Sequence, residues 1–144
     1  MAAHVITIRR TGRVMDAYRS QCPVASALDL VGDKWSLVIV RDATVGKRRY
    51  GDFLGSPEGI TTNILADRLK RLEQAGILRK RAYQTRPRRY EYLLTEKGAD
   101  LLPVLQQLAL WAHKHIPGRW TPPSWFVDAT PQRLLARLSA AGPG

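Results

Sequence analysis

The amino-acid sequence predicts a mainly α-helical fold with one small β-hairpin, an α+β arrangement of the winged helix-turn-helix kind. Three observations predict it. Four helical patterns follow one another between Pro23 and Ala75, and two short strand-like runs come directly after them. Between those runs, Arg86, Pro87, Arg88 and Arg89 concentrate positive charge at a hairpin tip.

Each element has its own signal. Ile6 and Ile8 flank Thr7 ahead of Arg9, Arg10 and Arg13, which reads as a short strand or a mobile basic arm within residues 1–20. From Pro23, the residues Val24, Ala27, Leu28 and Val31 fall on one helical face, with Cys22 at the N-cap and Gly32 closing the run. A second helix over about Lys34 to Ala43 is apolar on nearly every face, through Trp35, Leu37, Val38, Ile39 and Val40, as a buried helix is. Gly46 ends it. Tyr50, Phe53 and Leu54 form the apolar edge of a short third helix, and residues 55–59 are turn formers. Thr61 is placed to cap a fourth helix that carries Leu65, Leu69 and Leu72 and stops at Gly76.

Residues 77–83 and 89–94 then have the length and residue types of two strands. Thr95 caps a long helix predicted from Glu96 to about His115, bent at Pro103. Leu101, Leu105, Leu108 and Ala112 make one apolar stripe on it, and Val104, Leu108 and Trp111 a second. Two stripes exceed what one small domain buries, so Leu101, Val104, Leu105, Leu108 and Trp111 are expected to hold two copies together. Residues 21–116 form the expected domain with its dimerisation helix. Residues 117–144 form a proline- and aromatic-rich extension, with a short helix from Pro131 that places Leu134, Leu135 and Leu138 on one face.

Charge narrows the function. The chain of 144 residues carries 23 Lys and Arg against 12 Asp and Glu, a net +11 that favours a polyanionic partner. Residues 46–98 alone hold 13 basic and 6 acidic side chains, so the excess coincides with the helix-and-hairpin block. No apolar run approaches the roughly 18 residues of a membrane span, and no signal peptide is evident, so the expected location is the cytoplasm with no membrane partner. The single Cys22 excludes an internal disulfide. Catalysis is not expected: there is no phosphate-binding glycine loop and no nucleophile motif, and His113 and His115 point in different directions on a helix and cannot share a metal. Neither a cofactor nor a metal is expected.

Double-stranded DNA is the expected partner. On the fourth helix, Asn63, Asp67 and Lys70, with Ala66 at their edge, lie opposite Leu65, Leu69 and Leu72. An asparagine pairs with adenine and a lysine donates to guanine, so Asn63 and Lys70 are the expected base readers. Asp67 has two readings, an acceptor for a cytosine amine or an orienter of Arg71. Thr61 and Thr62, at the helix N-terminus, can hold a phosphate. Arg86, Arg88 and Arg89 suit a minor groove or the backbone, and Arg48 and Arg49 suit phosphate clamping.

The order of these residues carries a resemblance. Cys22, Pro23 and Val24 begin it, followed by Asp29, Leu30, Val31, Gly32, Lys34 and Trp35, and then Arg49, Tyr50, Phe53 and Leu54. It continues through Gly59, Ile60, Thr61, Leu65, Leu69, Leu72, Glu73, Gly76 and Ile77, and closes with Pro87, Tyr90, Glu91, Tyr92, Leu94, Thr95, Gly98, Leu101, Pro103, Val104 and Leu105. Residues 22 to about 112 resemble the HxlR-type winged helix-turn-helix transcriptional regulators of bacteria. The resemblance implies a homodimer, joined through the N-terminal and long C-terminal helices, that binds an inverted repeat and regulates nearby genes, expected here as a repressor. The arginine-rich wing and residues 117–144 depart from the family's usual pattern. In some relatives the cysteine before the first helix senses oxidants or electrophiles. Cys22 stands at that position, where a helix N-terminus and Arg19 would favour a thiolate; its other reading is a small, half-buried residue at a helix start. A small-molecule or oxidant effector is the corresponding partner. The rival reading is a protein-interaction module that uses the basic wing and the tail without specific DNA readout.

Overall fold

The computed structural model describes residues 7–10 and 13–141, with side chains described for residues 17–141. Of the N-terminal arm, residues 1–6, 11 and 12 lie outside the described residues. The rest of that arm forms a hairpin in which β1 (Thr7–Arg10) pairs antiparallel with β2 (Arg13–Asp16), so the alternation around Thr7 does make a strand.

Helix α1 (Pro23–Val31) starts at the proline, whose missing N–H costs nothing at this position. Asp33 starts α2 (Ser36–Thr44). Its carboxylate accepts the Trp35 and Ser36 N–H groups at 3.0 and 3.1 Å, together with the Ser36 hydroxyl. It also accepts Arg68 Nε at 2.8 Å, which ties the start of α2 to α4. Burial alone would raise the Asp33 pKa, but the hydrogen bonds from Ser36, Arg68 and the two backbone amides outweigh it and hold the group at about 2.

Helix α3 (Tyr50–Leu54) is capped by Asp52, whose Oδ2 accepts the Arg49 N–H at 3.0 Å, and it buries Phe53 completely. A second acidic knot fixes the turn that follows. Buried Asp42 accepts Arg41 Nη2 at 2.9 Å and the Ser56 hydroxyl, while Arg41 also grips Glu58 at 2.7 and 2.8 Å. That grip lowers the Glu58 pKa. Gly59 then adopts φ +75°, a left-handed conformation that side chains disfavour, and turns the chain into α4 (Thr62–Gln74). Leu65, Leu69 and Leu72 are all buried on the inner face of α4.

Strands β3 (Leu78–Thr85) and β4 (Arg88–Leu94) form the wing, from Leu78↔Leu94 to Thr85↔Arg88, with a bulge at Tyr83. The Tyr92 N–H donates to the Arg48 carbonyl at 2.7 Å and Arg49 forms an isolated antiparallel bridge with Glu91, which ties residues 48 and 49 to the edge of the two-stranded wing.

The long helix expected after Thr95 is two helices, α5 (Glu96–Ala99) and α6 (Leu102–His115). Pro103 breaks the ladder rather than bending it. Proline cannot donate to the carbonyl four residues back, that of Ala99, and its ring crowds that carbonyl, so α5 ends there and Pro103 occupies the first turn of α6. Gly98 meets the strand exit so closely that a Cβ would lie 2.1 Å from the Ile77 carbonyl oxygen.

Helices α7 (Ser124–Val127) and α8 (Pro131–Ala140) complete the chain. Thr130 caps α8 by accepting the Arg133 N–H at 3.2 Å, and the helix begins at Pro131 as the sequence predicts. Its Leu134 joins the common core, with Phe126, Ala129, Leu135 and Leu138 packed around it. Gln106 of α6 donates its side-chain amide to the Phe126 and Ala129 carbonyls, each at 2.8 Å, and so anchors the α7–α8 turn.

Candidate nucleic-acid interface

The outer face of α4 is built by exclusion. Three buried leucines fix the helix rotation, and this leaves Thr62, Asn63, Ala66, Asp67, Lys70 and Arg71 exposed. Thr61 occupies the N-cap, but its hydroxyl caps nothing, contrary to the expectation from sequence. Asp67 pairs with Arg71 Nε at 3.2 Å and with Arg68, a geometry that fits the second of its two readings. Asn63 and Lys70 stay available to a ligand, since none of the ion pairs among the described residues engages Lys70.

The wing presents the second cationic surface. Arg86, Arg88 and Arg89 are exposed around the tip and take part in none of those ion pairs. Arg49 lies over the Tyr83 ring with its guanidinium carbon 3.9 Å from the centroid. This stacking holds its charge at the base of the wing, half-buried.

Arg48 departs from its expected phosphate-clamping role. Its side chain is 12% exposed, donates to the Leu138 carbonyl at 3.3 Å and faces Glu91 Oε2 at 3.8 Å. The reason is the docked tail. Arg137 of α8 donates to the Thr44 carbonyl at 2.8 Å, which lays α8 across the end of α2 and covers Arg48. Sequence reasoning also missed Arg79, Lys80 and Arg81 of β3. Lys80 lies 4.1 Å above the Tyr90 ring, and Arg81 pairs with the fully buried Glu91 at 3.0 Å through Nε. The signal was present as three consecutive basic residues, Arg79, Lys80 and Arg81, which the wing sets opposite Leu93, Tyr92 and Glu91.

The two apolar stripes on α6 separate. Leu105, at 8% exposure, belongs to the core, and Leu101 packs half-buried against it, so neither lies on an open face. Val104, Leu108 and Trp111 are exposed, Trp111 by 61%, and line a shallow apolar groove with Pro103 and Gln107. On α1, Val24 and Leu28 are exposed as well. Cys22 is an exposed free thiol at the N-cap of α1. Arg19, expected beside it, is committed instead to Asp29, which accepts both its guanidinium and its backbone N–H. No helix among the described residues is long and apolar enough to cross a membrane.

Comparison with known proteins gives a consistent result. A family model for the HxlR-like helix-turn-helix matches residues 30–119. The chain is 39% identical over 100 residues to an uncharacterized HTH-type transcriptional regulator of Mycobacterium tuberculosis, Rv3095, covering 69% of this chain and 63% of that protein. It therefore spans just under two thirds of the length of that mycobacterial relative. Among solved structures, it is similar to the redox regulator HypR in its oxidized form (TM-score 0.60, 33% identity, 69% of this chain and 100% of that one). It is also similar to the reduced form of the transcriptional regulator YodB from B. subtilis (TM-score 0.58, 31% identity, 70% and 100% covered).

Proposed function

The chain belongs to the HxlR-like helix-turn-helix family, and from that premise we propose that it is a cytoplasmic, sequence-specific DNA-binding transcriptional repressor acting as a homodimer on an inverted repeat. One observation supports this reading above the others. The face of α4 opposite Leu65, Leu69 and Leu72 is exposed and carries Asn63 and Lys70, while Arg86, Arg88 and Arg89 of the wing enter none of the ion pairs among the described residues. Asn63 and Lys70 read bases, Thr61, Thr62 and Arg71 hold backbone phosphates, and the wing arginines follow the minor groove or backbone. Val24 and Leu28 of α1 with Val104, Leu108 and Trp111 of α6 form the surface that joins two copies. Residues 21–116 supply the reading and dimerising unit, and residues 117–144 an extension whose helices α7 and α8 pack on it. A gel shift against the protein's own upstream DNA across a salt series tests this. Tight binding that falls steeply with salt is expected; binding no better than to random DNA would leave the protein-interaction reading in its place.

A second reading concerns control. Cys22 is exposed, and two similar solved structures are described as a redox regulator and as a reduced form of a regulator. In this reading an oxidant or electrophile modifies the Cys22 thiol and weakens DNA binding. A Cys22→Ser variant that still responds fully to oxidant in the same gel shift would remove it.

A further inference from the structure

A cavity of about 200 Å³ lies where α8 crosses the end of α2 and the wing. Its apolar walls come from three parts of the chain. Ala43 lies at the end of α2, Tyr92 and Leu94 come from β4, and Leu135 and Leu138 come from α8. These make an apolar lining. Four cations, Lys47, Arg48, Arg79 and Arg81, share the same walls.

The acidic side chains nearby do not balance those cations. Glu91 serves both Arg81, at 3.0 Å, and Arg48, at 3.8 Å, while Asp42 serves both Lys47, at 3.4 Å, and Arg41. Arg79 takes part in none of the ion pairs among the described residues. Cations gathered around one recess favour an anion, and an anion placed there would meet Arg79 together with donors held in position by Leu138, Glu91 and Asp42.

Size and lining define the anion. The space is smaller than the usual small-molecule site and suits a ligand of roughly ten non-hydrogen atoms. A bare inorganic anion would leave the Leu135 and Leu138 wall unfilled, and a neutral apolar molecule would leave Arg79 without an anionic partner among the described residues. We propose that this cavity binds a small organic carboxylate with an aromatic or branched apolar body, its carboxylate on Arg79 and Arg48 and its body against Leu135, Leu138 and Ala43. Because α8 forms one wall and β4 another, an occupant joins the tail to the strand that leads to the wing arginines. The site is thus placed to alter how the wing is presented.

The inference goes beyond DNA recognition, and its test contains no DNA, so the two readings fail separately. The full chain is titrated calorimetrically with sodium benzoate, with benzyl alcohol as its neutral counterpart, and with inorganic phosphate. One benzoate per chain is expected, with benzyl alcohol and phosphate each at least tenfold weaker. Arg79→Gln should weaken benzoate at least tenfold, Leu135→Trp should abolish binding by filling the cavity, and Arg133→Gln, outside the lining, should bind as the parent does. If Leu135→Trp does not fold, methyl chemical shifts of Leu135 and Leu138 in the parent chain supply the readout and should move on adding benzoate. No benzoate heat at millimolar concentration, equal affinity for phosphate or benzyl alcohol, unmoved Leu135 and Leu138 methyls, or full binding by Arg79→Gln would each overturn the proposal.

Discussion

Arg48 donates a hydrogen bond to the backbone carbonyl of Leu138 at 3.3 Å, across 90 residues of sequence. The contact joins the turn before α3 to the last helix and turns a cation that reads as a DNA clamp into a structural tie. Removing it leaves Glu91 buried with Arg81 as its remaining close partner, and a buried charge deprived of a partner is costly.

Arg48→Ala is therefore expected to lower the unfolding free energy by roughly 1 to 3 kcal/mol while leaving the salt dependence of DNA binding unchanged. Arg88→Ala should do the reverse, with little loss of stability and a slope of log affinity against log salt reduced by about 1. Denaturant melts and a salt series on both variants check this. The assignment is lost if Arg48→Ala flattens the salt slope as Arg88→Ala does.

The contrast between these arginines shows what sequence carries. The face of α4 was legible because helical period fixes it from Leu65, Leu69 and Leu72 alone, and the wing tip because a turn former interrupts two strand-like runs. Exposure of Arg48 was not, since its partner arrives 90 residues later. Periodicity likewise found both stripes on α6 but treats Leu105 and Val104 alike. Only the position of the core shows that Leu105 faces inward and Val104 outward. Pro103 was legible as a disturbance. That it ends one helix and begins another depends on the Ala99 carbonyl it cannot reach and on Gly98 being pressed against Ile77.

Asn63 gives the sharpest test of the α4 orientation. Asn63→Ala should cost roughly 1 to 3 kcal/mol at the preferred site and relax discrimination at one base pair, because a paired contact to an adenine edge is lost. Ranking a panel of single-base operator variants reads this directly. An unchanged ranking would mean that another face of α4 enters the groove.

The exposed stripe on α6 makes a prediction that needs no DNA. Leu108→Asp combined with Trp111→Asp puts two charges on a surface where Leu108 and Trp111 are 50% and 61% exposed in the single chain. The folded monomer should tolerate them, with a change in intrinsic stability within about 1 kcal/mol, whereas an apolar interface would not. Sedimentation should show a dimer for the parent chain and a monomer for the double variant. A dimer that survives both charges would place the interface elsewhere.

Asp33 links stability to pH. Its folded pKa of about 2 lies below the ordinary aspartate value of 3.8, so the ionised form is the one the fold favours. The sign follows: the stabilisation is fully present above about pH 4, declines as pH falls between about 4 and 2, and is gone below that. The shift corresponds to roughly 2 kcal/mol, drawn from the Ser36 hydroxyl, Arg68 and the amides at the start of α2. Asp33→Asn should thus be destabilised by roughly 1 to 2 kcal/mol at neutral pH, with the parent and variant converging as the solution approaches about pH 2. Urea melts of both proteins from neutral to acid pH measure the gap. A gap that stays constant with pH would show that the capping geometry of residue 33, rather than its charge, holds α2 to α4.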